Sequence, residues 1–282
     1  MAGNIVEEVD TQSTTNRRIL RPLGTKNTWL LGIENVLKSR PDYAGSELEM
    51  VNANFARELI AARTNDKFTV PKVVTCRSKG NDFRRTVSIQ ERVPGESLDN
   101  ALESLSRAEL TRIGAGLGAY LLALQARTSP RMGMLNGQPV MDQGLLAPLP
   151  QQAMREYENC RTDDEVAANL GLRLQADLET VAELMARMPP ATPFVFTNSD
   201  LHAENVMVHK GEFVGLLDWR LAGYYPRWWE YVNSAALLDE YLPAELRHPE
   251  ALAWFRVYSA LRDRPNDEKT RKLVAEYLQS TN

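Results

Sequence analysis

FVFTNSDLHAENVMVHKGEFVGLLDW, residues 194–219, is the stretch on which the reading of this chain turns. An apolar run leads to Asp200, and Asn205 and Asp218 follow in quick succession. Two strand-like runs, Asn205 to His209 and Glu212 to Leu217, are joined by Lys210-Gly211, so a hairpin brings Asp218 back beside Asn205. Three oxygen-bearing side chains then converge. Such a group suits magnesium, which takes oxygen ligands in octahedral geometry and shares them between a few protein groups and substrate phosphates. A spare carboxylate beside it can orient a nucleophile. Taken singly, each residue has a plainer reading: Asp200 and Asn205 as turn caps, Asp218 as a strand end.

Composition narrows the classes. The 282 residues are long enough for one large domain or two lobes. A net charge of −4 offers no basic footprint for DNA or RNA, so no nucleic-acid partner is expected. Cys76 and Cys160 are the two cysteines, far apart and without a C-x-x-C partner, which fits a reducing compartment. The polar start, MAGNIVEEVDTQSTTNRR, lacks the apolar core of a signal peptide, and no apolar run reaches membrane-spanning length. The expectation is a cytoplasmic protein with no membrane span, peripheral association left open.

Outward from the central stretch, the pattern changes at Pro94-Gly95. Before it, TWLLG and ENVLKS read as strands on either side of Gly32, with Lys38 ending the second. Ser46 to Arg63 has Met50, Val51, Phe55, Leu59 and Ile60 at helical spacing. VPKVVTCRS and RRTVSIQERV read as two more strands around a turn at Lys79 to Asp82. After it, helices are expected over Ser104–Arg127, Asp163–Met188, Trp228–Glu240, Pro249–Arg262 and Asp267–Gln279, with an irregular excursion at 128–152. The organisation expected is a flexible arm (1–20), a β-rich lobe (21–94) and a helical lobe (95–282).

The order of these parts, a strand lysine, a helix, a strand ending in a Pro-Gly linker, D-x-x-x-x-N and then L-D-W, resembles the aminoglycoside phosphotransferase and choline kinase-like family. The similarity covers roughly residues 22 to 240 and is densest over FVFTNSDLHAENVMV, VGLLDWRLAGYYPRWWEYV and IQERVPGESL. It implies an α+β, bilobal protein-kinase-like fold with a small β-rich N-lobe, a larger mainly helical C-lobe and the site between them. It further implies that Asp200 is the catalytic aspartate that orients an acceptor hydroxyl and receives its proton. Asn205 and Asp218 would hold Mg2+. Lys38 would reach the α- and β-phosphates of ATP, and backbone groups of Gln90, Glu91, Arg92 and Val93 would meet the adenine. Phosphoryl transfer asks mainly for in-line positioning and neutralised charge, which this division supplies. The expected activity is transfer of the ATP γ-phosphate to a hydroxyl of a metabolite or antibiotic-like acceptor. The expected partner is therefore a small molecule; the oligomeric state is open.

The chain departs from the family text in several places. Asn198 and Ser199 stand where the family has His and Gly before the aspartate, Arg220 follows D-W in place of Glu, and the helix Glu that would pair with Lys38 falls on Asn52, with Glu47 or Glu49 as substitutes. The glycine-rich loop is reduced to Leu23-Gly24-Thr25 and Gly32. These departures motivate one alternative, a pseudokinase-type binding or regulatory module; a third reading is different chemistry in the same cleft on another metabolite. His202 is expected to pack the loop, and His209 and His248 to lie on the surface. Tyr224, Tyr225, Trp228, Trp229 and Tyr231 are expected in the core. The acidic runs Asp163-Asp164-Glu165 and Asp239-Glu240 read as solvated helix ends rather than a cation site. Met132 to Met141 is either a lid or an adaptably packed loop.

Overall fold

A computed structural model of the chain describes residues 20–22, 27–41, 48–65, 67–78, 85–140, 144–145 and 159–280. The N-terminal arm, Leu23-Gly24-Thr25, Ser46-Glu47, the Lys79–Asp82 turn and Met141 lie outside them. The described residues divide into two compact units, those of Met1–Asp42 with Val74–Arg92 and those of Tyr43–Val73 with Val93–Asn282.

The first unit is a five-stranded sheet, β1 (Leu20–Pro22), β2 (Thr28–Leu31), β3 (Asn35–Pro41), β4 (Val73–Ser78) and β5 (Arg85–Glu91), in the order β1-β2-β3-β5-β4. Gly32, at φ +69°, turns β2 into β3 in a conformation that costs glycine nothing. β3 is central, and its register places Lys38 opposite Thr28 on one side and Ser88 on the other. Burial alternates along β5, with Thr86, Ser88 and Gln90 inward, and Val36 and Lys38 are the buried residues of β3. This period of two puts Lys38 on the buried face, not at the strand end where the sequence text places it.

The second unit is mostly helical. It holds α1 (Leu48–Thr64), β6 (Glu96–Ser97), α2 (Leu98–Ala101), α3 (Arg107–Gln125), β7 (Thr128–Ser129), α4 (Asp163–Gly171), α5 (Leu178–Ala186), β8 (Phe194–Thr197), β9 (Val206–His209), β10 (Glu212–Leu216), β11 (Gly223–Tyr225), α6 (Trp229–Asn233), α7 (Pro249–Asp263) and α8 (Glu268–Gln279). α3 begins at a capping box, in which Ser106 and Glu109 satisfy each other's backbone N–H groups. It buries Ile113, Leu117, Tyr120, Leu121 and Leu124, and packs on α1 and β10. Gly114 lets the 239–241 segment approach, since a Cβ there would lie 2.3 Å from that of Tyr241. No helix of the described residues is long and apolar enough to cross a membrane.

Two expected helices are shorter than the periodicity suggests. Asp163–Met188 divides into α4 and α5, because Asp177 caps a new helix by accepting from the Thr180 N–H at 2.8 Å. The pair folds back closely at Gly171, where a Cβ would be 3.3 Å from Val181. Trp228–Glu240 keeps only α6 and a 3-10 turn at Asp239–Tyr241, since Ala235, Ala236 and Leu238 adopt left-handed φ. The departure is held by Asp239, which accepts from the Tyr231 hydroxyl at 2.6 Å and from Arg247 at 3.0 and 3.2 Å.

Candidate active site in the helical unit

β8 is buried at every residue and is the middle strand of a three-stranded sheet, between β11 and β7. Thr197 lies opposite Gly223, and the chain then leaves the ladder through Asn198, Ser199 and Asp200. A turn at 202–205, closed by the Asn205 N–H on the His202 carbonyl at 2.9 Å, feeds β9. Lys210 and Gly211, both at positive φ (+51° and +71°), make the tight hairpin into β10. One further bond, Leu217 N–H to Asn205 carbonyl at 2.9 Å, carries the pairing past the strands and returns Asp218 to the level of Asn205.

Asp200, Asn205 and Asp218 are thereby brought together. The Asn205 Nδ2 donates to the Asp200 carbonyl at 2.9 Å and to its carboxylate at 3.3 Å. These proton-free acceptors fix which end of the amide is nitrogen. No described residue donates to the Asn205 Oδ1. An amide oxygen with the neighbouring Asp218 carboxylate is a hard-donor pair that fits a divalent cation sharing its other positions with phosphate and water. Among the described residues no group of three His, Cys, Asp or Glu is placed to hold a metal ion. Burial, and then the negative charge of Asp218, raise the Asp200 carboxyl above its ordinary value. His202, Arg220 and the Asn205 amide oppose that shift. His202 does more than pack the loop: its Nε2 stands 2.9 Å from Asn205 Nδ2 and 3.8 Å from Asp200 Oδ1.

The residues around this group were only partly legible. Asn198 is fully buried; its Oδ1 accepts from the Asp200 N–H at 3.1 Å while its Nδ2 donates to the Asp218 carbonyl at 3.1 Å. Asn52, matched in sequence to a lysine-pairing Glu, donates to the carbonyls of Trp219 and Ala222 at 2.8 and 3.0 Å. It thus braces the turn that follows Asp218. Sequence reasoning missed Glu230 and Asn233, which reach the Ser199 backbone from α6. A carboxylate inside the aromatic run 224–231 was the available signal. The linker is fixed to the same hairpin, β6 pairing with β9 and the Asp99 N–H reaching the Ala203 carbonyl at 3.2 Å.

The residues expected to meet the nucleotide are divided between the two units. Lys38, Gln90, Glu91 and Arg92 belong to the sheet unit: Gln90 is buried opposite Val36, and the Arg92 N–H donates to the Glu34 carbonyl at 2.7 Å. Val93 is buried and belongs to the helical unit. Tyr225, Trp228, Trp229 and Tyr231 are core, and Tyr224 lines a shallow pocket with Arg131, Gly133 and Asn159. Met132 and Met134 are buried, which favours the packed-loop reading for that part of the excursion. Asp239 and Glu240 are engaged by Arg247 and Arg107, and Asp163 accepts from the Ala191 and Thr192 N–H groups. His209 is exposed, but only 14 % of the His248 side chain is, against the surface position expected for it.

A sheet unit carrying a buried strand lysine and a helical unit carrying this aspartate–asparagine–aspartate hairpin define a protein-kinase-like phosphotransferase fold. The chain belongs to the phosphotransferase enzyme family, whose model matches residues 19–265. Its fold is similar to that of a thermostable mutant of aminoglycoside phosphotransferase APH(4)-Ia in ternary complex with AMP-PNP and hygromycin B, at 16% identity and TM-score 0.52, covering 92% of this chain and 93% of that one. A second mutant of that enzyme, in complex with ADP and hygromycin B, aligns at 14% identity and TM-score 0.50 over 93% of this chain and 94% of the other. No curated protein sequence matches the chain.

Proposed function

We propose that this protein is a small-molecule kinase that uses ATP and magnesium to phosphorylate a hydroxyl group. The observation that carries the reading is the convergence of Asp200, Asn205 and Asp218 on one hairpin, with Asn205 hydrogen-bonded to Asp200. Asp200 orients the acceptor hydroxyl and takes its proton. Asn205 and Asp218 hold magnesium, which when bound neutralises charge on the nucleotide phosphates. Lys38 is assigned to the α- and β-phosphates and Gln90 to Val93 to the adenine. The structurally similar enzyme crystallised with hygromycin B supports an antibiotic-like or metabolite hydroxyl as acceptor.

One observation favours a second reading, a binding module with little turnover. Arg220 follows Asp218-Trp219 where the family text has Glu, and so sets a positive charge in sequence beside a residue that would hold the cation.

The test is thermal stabilisation by ATP with magnesium, followed by phosphate transfer across a panel of hydroxyl metabolites and aminoglycosides, for wild type and Asp200→Asn. Transfer by the wild type that is abolished in Asp200→Asn is the expected result. A nucleotide-dependent shift without transfer supports the binding module. No shift with either nucleotide or magnesium sinks the kinase reading, and transfer unchanged in Asp200→Asn refutes the role given to that residue.

A further inference from the structure

Ser199, immediately before Asp200, adopts φ +62°, a left-handed conformation disfavoured for any residue with a Cβ. It is almost fully buried, at 1% exposure, and α6 grips it from three sides. The Trp229 indole Nε1–H donates to the Ser199 hydroxyl at 2.9 Å. The Ser199 N–H donates to the Glu230 carboxylate at 3.2 Å, and the Asn233 amide donates to the Ser199 carbonyl at 2.9 Å. Trp229 is itself immobilised, fully buried with Tyr225 stacked at 6.4 Å and Phe255 edge-on at 5.2 Å.

We infer that the Trp229 indole and the Ser199 hydroxyl form a latch that holds the left-handed turn before Asp200, making Trp229 and Ser199 positioning residues for the proposed phosphoryl transfer. The Glu230 and Asn233 contacts reach the backbone of Ser199 and would serve any residue there, whereas the indole bond needs a hydroxyl at this position. A Cβ-bearing residue at φ +62° strains to leave that conformation, and the latch opposes the departure. Released, the peptide before Asp200 rotates and carries the carboxylate off the line to its acceptor, with little effect on how substrates bind. The inference rests on the kinase reading for its catalytic consequence, but not for the latch itself.

The discriminating experiment uses Trp229→Phe, Ser199→Ala, Ser199→Gly and the double variant Trp229→Phe/Ser199→Gly in the full chain. Phenylalanine keeps an apolar ring and loses the donor. Alanine keeps the Cβ strain and loses the acceptor. Glycine loses the acceptor but has no Cβ strain to hold. Amide hydrogen exchange at 199–200 and steady-state phosphate transfer are read together. Trp229→Phe and Ser199→Ala are expected to exchange faster by about tenfold or more and to lose about tenfold or more in kcat with KM little changed. Ser199→Gly and the double variant are expected to return close to wild type in both. Wild-type exchange in Trp229→Phe and Ser199→Ala overturns the latch, and so does a double variant that fails to recover. If Trp229→Phe does not fold, the contrast between Ser199→Ala and Ser199→Gly decides by the same criterion. If the wild type transfers no phosphate, the kinase reading fails and exchange alone judges the latch.

Discussion

The side-chain amide of Asn198 donates to the carbonyl of Asp218 at 3.1 Å, and through its other end it accepts from the backbone of Asp200 at 3.1 Å. One buried side chain therefore sets the spacing of the two residues that carry the carboxylates of the site. The family text has histidine here, and the structure gives the shorter amide a bridging task that needs one donor and one acceptor, both of which asparagine has.

Asn198→Ala is expected to leave a buried N–H and a carbonyl without this partner, at a cost of about 2 to 3 kcal/mol in folding stability. The carboxylates then lose their common tether, and kcat should fall by roughly 10- to 100-fold. Urea denaturation and steady-state transfer assays check the two parts separately. A variant as stable and as active as wild type would remove the bridge from the account.

Gly95 sits at φ +91° where the linker meets β9, and a Cβ there would lie 2.0 Å from the Val208 carbonyl oxygen. Gly95→Ala should therefore destabilise the protein by about 2 kcal/mol or more, through both the left-handed backbone and the collision. A thermal melt within a degree or so of wild type would contradict this.

The C-terminal helix is tied down by Arg187. Its guanidinium donates to the carbonyls of Tyr277, Leu278 and Ser280 at 2.9, 2.6 and 3.0 Å, the groups that a helix end leaves without partners. Arg187→Ala is expected to cost about 1 to 3 kcal/mol and to lower amide protection along α8 first. Exchange that accelerates equally in α8 and in the buried strand β8 would point to a global loss instead.

His248 is predicted to make the protein acid-sensitive. Burial, the largest cause, and the nearby Arg227 charge hold its pKa below the ordinary 6.5, while Glu250 opposes them. As pH falls below 6.5 the unfolded chain takes up the proton before the folded one, so stability is full above that value and declines until the folded His248 also protonates. His248→Gln should flatten this part of the profile, with a gap to wild type that differs above and below pH 6.5. Parallel denaturant titrations across that range test it, and a constant gap would refute it.

Much of the site was written locally. The Lys210-Gly211 turn and the runs on either side of it suffice to pair Asn205 with the Asp218 segment, because hairpin register follows from turn type and the period of two. Helix α3 was legible from its spacing, although the Ser106 cap starts it at Arg107 rather than at Ser104. The division of residues 163–188 was not, since the helical pattern runs on while an Asp177 cap and a close approach at Gly171 decide the break. The loss of helix after Asn233 was likewise hidden, because a hydrogen bond between Tyr231 and Asp239 and the Arg247 pair form only once the chain has turned.

The sequence by itself brought Asn205 and Asp218 to the two ends of one hairpin, since that follows from short-range pattern and spacing, and its resemblance to a phosphotransferase family supplied the fold class. The tertiary structure alone decided what Asn198, Asn52 and Ser199 do. Their partners at Asp218, Trp219, Ala222 and Trp229 lie at distant positions in the chain. A buried polar group declares its function only through the partner that satisfies it, and no periodicity in the sequence encodes that choice.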